Sequence, residues 1–214
     1  MTAAQSIKAV IFDLDGVLVD SEPAHQAASR RLVAPAVMTD EEYGAFVGSS
    51  IEAFMAWVQE RFLPGLTIEE IVACYDALVL AELRDHPPPA FDGAPELLAA
   101  LRGQGLPLAV ASQSLPAWVE VTLSGACLTA YFDAVVTASE VAQHKPAPDL
   151  FLLAAQRLGV EPRACLVVED SPPGVAAGVA AGMVVVQSRQ GSMAPPPQAG
   201  AHRVIGTLRA FHLE

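Results

Sequence analysis

The sequence predicts an α/β fold: a parallel β-sheet with helices on both faces and an all-helical domain inserted after the first strand. Short apolar segments that end in polar residues alternate with helical segments along most of the chain, as in parallel sheets. One long stretch interrupts this alternation with helical signals alone. The composition, 52% hydrophobic and 17% charged residues, is typical of a globular protein.

Five segments have the length and apolar character of buried strands. They cover residues 8–13, 107–114, 134–140, 164–170 and 182–187. Helical patterns lie between them and several end in glycine, as helices tend to do. These patterns cover residues 94–105, 116–128, 148–159 and 171–182. Strands that alternate with helices predict right-handed crossovers and a doubly wound, Rossmann-like sheet.

The inserted stretch begins near Glu22 and ends near His86. Helix starts are indicated there by three capping boxes, in which a Ser or Thr precedes a Glu by three residues. They are Thr39 with Glu42, Ser49 with Glu52, and Thr67 with Glu70. We predict a helical cap domain over 21–89 and an α/β core domain formed by 1–20 and 90–214. The alternative is that these helices simply pack on the sheet.

Composition and charge exclude several classes of function. The formal net charge is −12 and no basic stripe is present, which argues against a nucleic-acid partner. No apolar run approaches the roughly 18 residues that a membrane span needs, and no secretory signal precedes the first strand. Three widely spaced cysteines predict neither disulfides nor a zinc site, so we expect a cytoplasmic protein.

Polar residues end several of the predicted strands. Asp13, Ser112 and the pair Glu169–Asp170 stand at strand ends, and Lys145 follows another strand in an extended loop before a proline. The carboxyl ends of parallel strands meet at one sheet edge, so these groups should converge on one crevice. Only two of the 12 basic residues are lysines, which makes a lysine at such a place notable.

Clustered carboxylates repel one another unless a cation or shared protons compensate them. Oxygen donors without a His or Cys cluster favour Mg²⁺. A calcium loop starting at Asp13 is excluded, because Val17 and Leu18 occupy the positions that require an oxygen ligand and a glycine. For Asp13 or Asp15 taken alone, a helix or turn cap is the alternative explanation.

Four segments together resemble the motifs of the haloacid dehalogenase-like superfamily. In chain order they are DLDGVLVDSE, Ser112 in VASQS, Lys145 in HKPAPD, and VVEDSPPGVAAG. The resemblance extends from Val10 to about Gly182, and the insert resembles the helical cap that this family carries between motifs I and II. A single DxDG would be weak evidence, whereas four motifs in order are specific.

The resemblance implies a catalytic role for each matched residue. Asp13 is expected to be the nucleophile that forms an aspartyl-phosphate, and Asp15 the general acid and base. Ser112 and Lys145 are expected to hold the phosphoryl oxygens. These four are the predicted catalytic residues.

The resemblance also implies a Mg²⁺ site and contacts to substrate. Mg²⁺ is expected on the Asp13 carboxylate, the Asp15 backbone carbonyl and Asp170, with Glu169 binding directly or through water. The predicted substrate-binding residues are Ser112, Gln113, Lys145 and His25. For His25, an exposed histidine on a helix is the alternative.

Asp15 favours phosphoryl transfer over dehalogenation, because dehalogenases of the superfamily lack this second acid. The predicted cap has no lysine for the Schiff base of phosphonate-cleaving relatives, and Ile51 stands about where sugar-phosphate mutases carry arginine. We therefore predict a Mg²⁺-dependent phosphatase that acts on a small phosphorylated metabolite. A mutase of the same family and a non-catalytic phospho-ligand-binding protein are the alternatives. The sequence predicts no oligomeric state.

Overall fold

A computed structural model describes residues 6–46, 50–191 and 195–213. The chain forms two compact units. One consists of Met1–Asp20 and Pro88–Glu214, and the other of Ser21–Pro87. In the part of the chain that the structure describes, no helix is long and apolar enough to cross a bilayer.

The unit Ser21–Pro87 is all-helical where it is described. Its helices are α1 (Glu22–Leu32), α2 (Asp40–Gly44), α3 (Ile51–Arg61) and α4 (Ile68–Asp85). Complete capping boxes open α2 and α4, where the hydroxyls of Thr39 and Thr67 accept from the backbone N–H three residues on. Ser50 is the N-cap of α3, and the predicted start at Ser49 lies outside the described residues.

Apolar faces of α1, α3 and α4 form the interior of the helical unit, and aromatic rings line one part of it. Phe54 lies edge-on to Tyr43 and Tyr75, with ring centroids 6.0 and 6.4 Å away, and stacks on Trp57 at 6.1 Å. Offset and edge-to-face rings are the favoured aromatic geometries. These aromatic side chains therefore pack on one another inside the helical unit.

The other unit is built on a six-stranded, all-parallel sheet. Its strands are β1 (Ala9–Phe12), β2 (Leu108–Ser112), β3 (Ala134–Thr137), β4 (Cys165–Glu169), β5 (Val184–Ser188) and β6 (Arg203–Ile205). The strand order is β3-β2-β1-β4-β5-β6. The order reverses beside β1, so the carboxyl end of β1 lies at the topological switch point, where open α/β sheets bind ligands.

Helices cover both faces of this sheet: α5 (Ala94–Gly103), α6 (Pro116–Gly125), α7 (Asp149–Leu158) and α8 (Pro172–Ala180). Alternate residues of β1 enter different cores, as strand geometry requires. Val10 and Phe12 pack in the core that includes residues of α5 and α6, whereas Ile11 packs in the core that includes residues of α7 and α8. The predicted doubly wound α/β fold with inserted helices is confirmed.

Two differences from the predicted elements have local causes. The strand predicted over 134–140 ends at Thr137, because residues 138–140 form a 3₁₀ turn closed by a capping box between Thr137 and Glu140. The strand β6 was not predicted. It has three residues, one of them Arg203, and so offers no apolar run to recognise.

Candidate active site

Asp13 directly follows β1 and is 6% exposed. Its backbone N–H donates to the carbonyl of Val168 at 2.9 Å, so the pairing of β1 with β4 continues through this residue. The chain then turns sharply: Leu18 N–H donates to Leu14 at 2.9 Å, and Gly16 N–H donates to Val19 at 2.8 Å. Asp13 therefore stands directly after β1, still bonded to β4, at the start of a tight turn.

Lys145 connects two strand ends by ion pairs. Its Nζ donates to Asp13 Oδ1 at 2.7 Å and to Glu169 Oε1 at 2.6 Å, and its side chain is 3% exposed. The same ammonium lies 5.1 Å from the centre of the Phe151 ring, a distance suited to a cation–π contact. Its peptide bond to Pro146 is cis. One buried cation thus partly compensates two buried carboxylates.

Glu169, the last residue of β4, uses both of its carboxylate oxygens. Oε1 accepts from Lys145, and Oε2 accepts from the backbone N–H of Ser171 at 2.6 Å and from its hydroxyl at 3.0 Å. The Ser171 hydroxyl also caps α8, by accepting from Gly174 N–H at 3.2 Å. Glu169 is therefore held on both sides, by Lys145 through Oε1 and by Ser171 through Oε2.

Asp15 lies in the turn after β1, close to two serines. Its Oδ2 accepts from Ser114 Oγ at 2.8 Å and from Ser112 Oγ at 3.3 Å. Ser114 N–H donates to Ser112 Oγ at 3.0 Å, which ties the two serines together. Sequence reasoning missed Ser114, although it stands only two residues after Ser112. This spacing was the one signal that could have indicated it.

Three carboxylates form a cluster that could hold a cation. Asp13, Glu169 and Asp170 each offer an oxygen, and these oxygens all lie within 4.8 Å of one another. Asp170 fits into the cluster because residue 16 is a glycine. The φ angle of Gly16 is +78°, and a Cβ on this residue would lie 2.3 Å from Asp170 Oδ2. A set of oxygen donors only, partly buried, fits Mg²⁺ by its chemistry.

The pKa values of the cluster residues and of Lys145 follow from their burial and from the charges around them. Burial raises the pKa of Asp13 well above its usual value, and the negative charges of Glu169, Asp170 and Asp15 raise it further, against the opposing effect of Lys145. Burial followed by repulsion from Glu169 raises the pKa of Asp170 to about 7. Burial lowers the pKa of Lys145, but the attraction of Asp13 and Glu169 outweighs it, so this pKa lies above its usual value.

Most of the predicted site residues come together at the carboxyl edge of the sheet. Asp13, Lys145 and Glu169 contact one another, with Asp170 in the carboxylate cluster, and Asp15 bonds to Ser112. Gln113 follows β2 and is exposed to solvent. His25 lies on α1 in the helical unit, half-buried, with Nδ1 2.9 Å from the hydroxyl of Tyr75.

Comparison with known proteins gives a family and several relatives. The family model for haloacid dehalogenase-like hydrolases matches residues 7–182. A fructose-1-phosphate phosphatase of Escherichia coli is 36% identical over 186 residues, which span 84% of this chain and 95% of the relative. Hexitol phosphatase A of the same organism is 37% identical over 182 residues, 84% of this chain and 82% of the relative.

Solved structures with a similar fold include proteins that bind phosphate. CbbY from Rhodobacter sphaeroides, in complex with phosphate, has a TM-score of 0.82 and 25% identity, with 95% of this chain and 96% of that chain covered. A hydrolase from Deinococcus radiodurans, with bound phosphate and sodium, has a TM-score of 0.75 and 31% identity, with 96% and 93% covered. Similarity thus extends over both the α/β and the helical units.

Proposed function

Because the chain belongs to the haloacid dehalogenase-like hydrolases, we propose that it is a Mg²⁺-dependent phosphatase acting through an aspartyl-phosphate on Asp13. The observation that carries this proposal is that two neighbouring aspartates have different hydrogen-bond partners. Asp13 is buried beside Lys145, whereas Asp15, two residues later, is bonded to a pair of serines instead. A nucleophile and a separate acid–base group are what hydrolysis of a phosphate ester requires.

In the first step, the Asp13 carboxylate attacks phosphorus and the bond from phosphorus to the ester oxygen breaks. Asp15 gives its proton to that oxygen, so the product leaves as a neutral alcohol. The hydroxyl of Ser112, which donates to Asp15 at 3.3 Å, turns to donate its hydrogen to a phosphoryl oxygen, and Lys145 supplies positive charge beside the group that is transferred. The shorter bond from Ser114, at 2.8 Å, still limits the positions that the Asp15 carboxyl group can adopt.

In the second step, water attacks the aspartyl-phosphate. Asp15, now ionised, takes the proton from this water, and the bond between phosphorus and Asp13 breaks. Inorganic phosphate leaves and the Asp13 carboxylate is restored. The same group thus acts first as acid and then as base, and the cycle needs no further proton donor.

The residues that would hold Mg²⁺ are Asp13, Asp170 and the backbone carbonyl of Asp15, with Glu169 acting through water. When bound, Mg²⁺ neutralises charge where the anionic phosphate meets the anionic carboxylate. The cluster within 4.8 Å supports this assignment. The hydrogen bonds to both oxygens of Glu169 support its indirect role.

The substrate in this proposal is a small phosphorylated metabolite of about the size of a sugar phosphate. Two relatives named for fructose-1-phosphate and hexitol phosphates, each similar over 84% of this chain, support that class. A cytoplasmic location stays a prediction.

The test measures phosphate release from a panel of phosphorylated metabolites and one aryl phosphate, with Mg²⁺ and with a chelator. We expect release to require Mg²⁺ and to fall at least about 1,000-fold in Asp13→Asn, because an amide cannot attack phosphorus. Asp85→Asn is the matched control, since this exposed residue ends α4 and the same substitution there should leave kcat unchanged.

Two results would overturn the proposal. Isomerisation of a sugar phosphate that outpaces phosphate release would make the protein a mutase. Tight, metal-dependent binding of phosphorylated compounds without turnover of any would make it a binding protein.

A further inference from the structure

Gln187 continues the row of polar residues at the carboxyl edge of the sheet. Its register partner in β4 is Glu169, and the residue two positions before each, Val185 and Val167, packs in the core that includes Ile11 of β1. Side chains alternate along a strand, so Gln187 and Glu169 belong to the same face of the sheet as Asp13. Gln187 is 0% exposed. The whole side-chain amide of Gln187 is thus buried, in the strand next to Glu169 of the carboxylate cluster.

The polar atoms of this amide bond to backbone groups of two separate segments. Nε2 donates to the carbonyl of Asp170 at 3.0 Å and to the carbonyl of Pro196 at 3.3 Å. Oε1 accepts from the N–H of Gln198 at 2.8 Å. A buried amide costs free energy unless it is hydrogen-bonded, and here both its donor and its acceptor are used.

The backbone pairing between β4 and β5 ends at Glu169, and Asp170 is the first residue after it. At Asp170, the side-chain amide of Gln187 donates the hydrogen bond to the backbone carbonyl. A hydrogen bond to the carbonyl of Asp170 restricts the ψ angle of that residue and thereby the direction from which its carboxylate enters the cluster.

We propose that Gln187 is a positioning residue: it fixes the backbone of Asp170, and hence its carboxylate, and anchors the segment around Pro196–Gln198 to the same point. This inference rests on the proposed function, in which Asp170 binds Mg²⁺. Removing a group that hydrogen-bonds to a metal-binding residue typically weakens metal binding about 10–100-fold.

The test is Mg²⁺ binding measured by calorimetry on the intact protein without substrate. Gln187→Met keeps the length and approximate volume of the side chain but makes none of the three hydrogen bonds. We expect the Kd for Mg²⁺ to rise about 10–100-fold, and kcat at saturating Mg²⁺ to change less than the concentration of Mg²⁺ required.

Ser188→Ala is the matched control. Ser188 is the next residue of β5, is equally buried, and its Oγ has no hydrogen-bond partner among the described residues. This variant should bind Mg²⁺ within about twofold of wild type, because it removes a buried polar atom of the same strand that makes no hydrogen bond to Asp170.

A second variant keeps the test decisive if Gln187→Met does not fold. Gln187→Asn keeps a neutral amide but is one methylene group shorter, so its N–H is withdrawn from the carbonyl of Asp170 and no charge is introduced beside the cluster. Weaker Mg²⁺ binding in this variant supports the proposal. Mg²⁺ binding equal to wild type in either folded variant, with only a lower Tm, assigns Gln187 a purely structural role and overturns it.

The two proposals fail in different ways. A wild-type protein that binds Mg²⁺ and releases no phosphate from any compound contradicts the phosphatase proposal, whereas the effect of Gln187 on binding can still be measured. A wild-type protein that is an active phosphatase, with unchanged Mg²⁺ binding in Gln187→Met, contradicts only the positioning role.

Discussion

Gly174 has no room for a side chain, because Glu169 fills the space where its Cβ would lie. A Cβ there would be 1.7 Å from Glu169 Oε1 and 1.9 Å from Cδ. Glu169 is itself held by Lys145 and Ser171, so it cannot simply move away. At the scale of single residues, this glycine at the start of α8 is what lets Glu169 reach Lys145.

Gly174→Ala should therefore displace Glu169 and disturb Lys145. We expect kcat to fall at least about 10-fold, since small misplacements of catalytic groups have large effects on rate. We also expect a lower Tm. Steady-state kinetics and thermal unfolding of the variant measure both.

Gly103→Ala is the matched control for that substitution. Gly103 is the last residue of α5, and a Cβ there would meet nothing within 4 Å. The control should leave kcat unchanged and keep or slightly raise the Tm, because alanine reduces the freedom of the unfolded chain. Equal kcat values in the two alanine variants would show that the space between Gly174 and Glu169 has no effect on catalysis.

At the scale of secondary-structure elements, Asp133 joins the starts of two strands. It precedes β3, its carboxylate accepts from the backbone N–H of Leu108 at the start of β2 at 2.9 Å, and it also pairs with Arg102 of α5. The bond from Leu108, and then the pairing with Arg102, lower the pKa of Asp133 despite the opposing effect of partial burial. The edge strand β3 is thus held against β2 by the residue that precedes it.

This lowered pKa predicts a dependence of stability on pH. A carboxyl group whose pKa is lower in the folded state stabilises the protein above its unfolded pKa, near 3.8, and that stabilisation is lost as the pH falls through the folded value. At pH 6, Asp133→Asn should lower the Tm by about 2–4 °C, as expected for the loss of one charged hydrogen bond.

Thermal unfolding of wild type and Asp133→Asn between pH 6 and pH 2.5 measures this effect. The difference in Tm should shrink as the pH falls from about 4 through the lower pKa of the folded state, because Asp133 becomes neutral over that range while the asparagine of the variant is neutral throughout. A Tm difference between the two proteins that stays constant over this pH range would mean that the charge of Asp133 does not contribute to stability.

At the scale of the whole molecule, the carboxylate cluster is a local concentration of the net charge of −12. Lys145 is the basic group that pairs with it, so repulsion within the metal-free cluster is only partly compensated. Mg²⁺ should therefore stabilise the folded protein, because the unfolded chain does not bring these carboxylates together.

Adding Mg²⁺ to about 100 times its Kd should stabilise the protein by about 2.7 kcal/mol. For a chain of this length that corresponds to a rise in Tm of about 5–10 °C. Asp170→Asn should show a higher Tm than wild type in chelator, since repulsion is relieved, and little further rise with Mg²⁺. Scanning calorimetry of both proteins, with Glu120→Gln as an exposed control on α6, measures these shifts.

Sodium chloride at the ionic strength of the Mg²⁺ solution separates specific binding from screening. Screening by salt should affect wild type and Asp170→Asn alike. If Mg²⁺ raised the Tm of both proteins equally, the cluster would not be its binding site.

Much of the fold could be predicted because its signals are local. The apolar runs before Asp13 and Glu169 form buried strands, the boxes at Thr39 and Thr67 open helices, and the predicted family is confirmed. The strand β6 escaped prediction because three residues that include Arg203 carry no periodicity. Ser114 and Gln187, the next-to-last residue of β5, escaped prediction because the fold selects their partners: Ser114 bonds to Asp15, and Gln187 bonds to Asp170.

The sequence by itself determined the alternation of strands and helices, the inserted helical stretch, and the four motifs with their residue types. Only the tertiary structure decided which groups meet. Asp13 and Lys145 are 132 residues apart in the chain, and Asp15 and Ser114 are 99 apart. Periodicity and capping are properties of neighbouring residues, whereas a hydrogen bond between distant residues depends on the order and register of the strands that carry them.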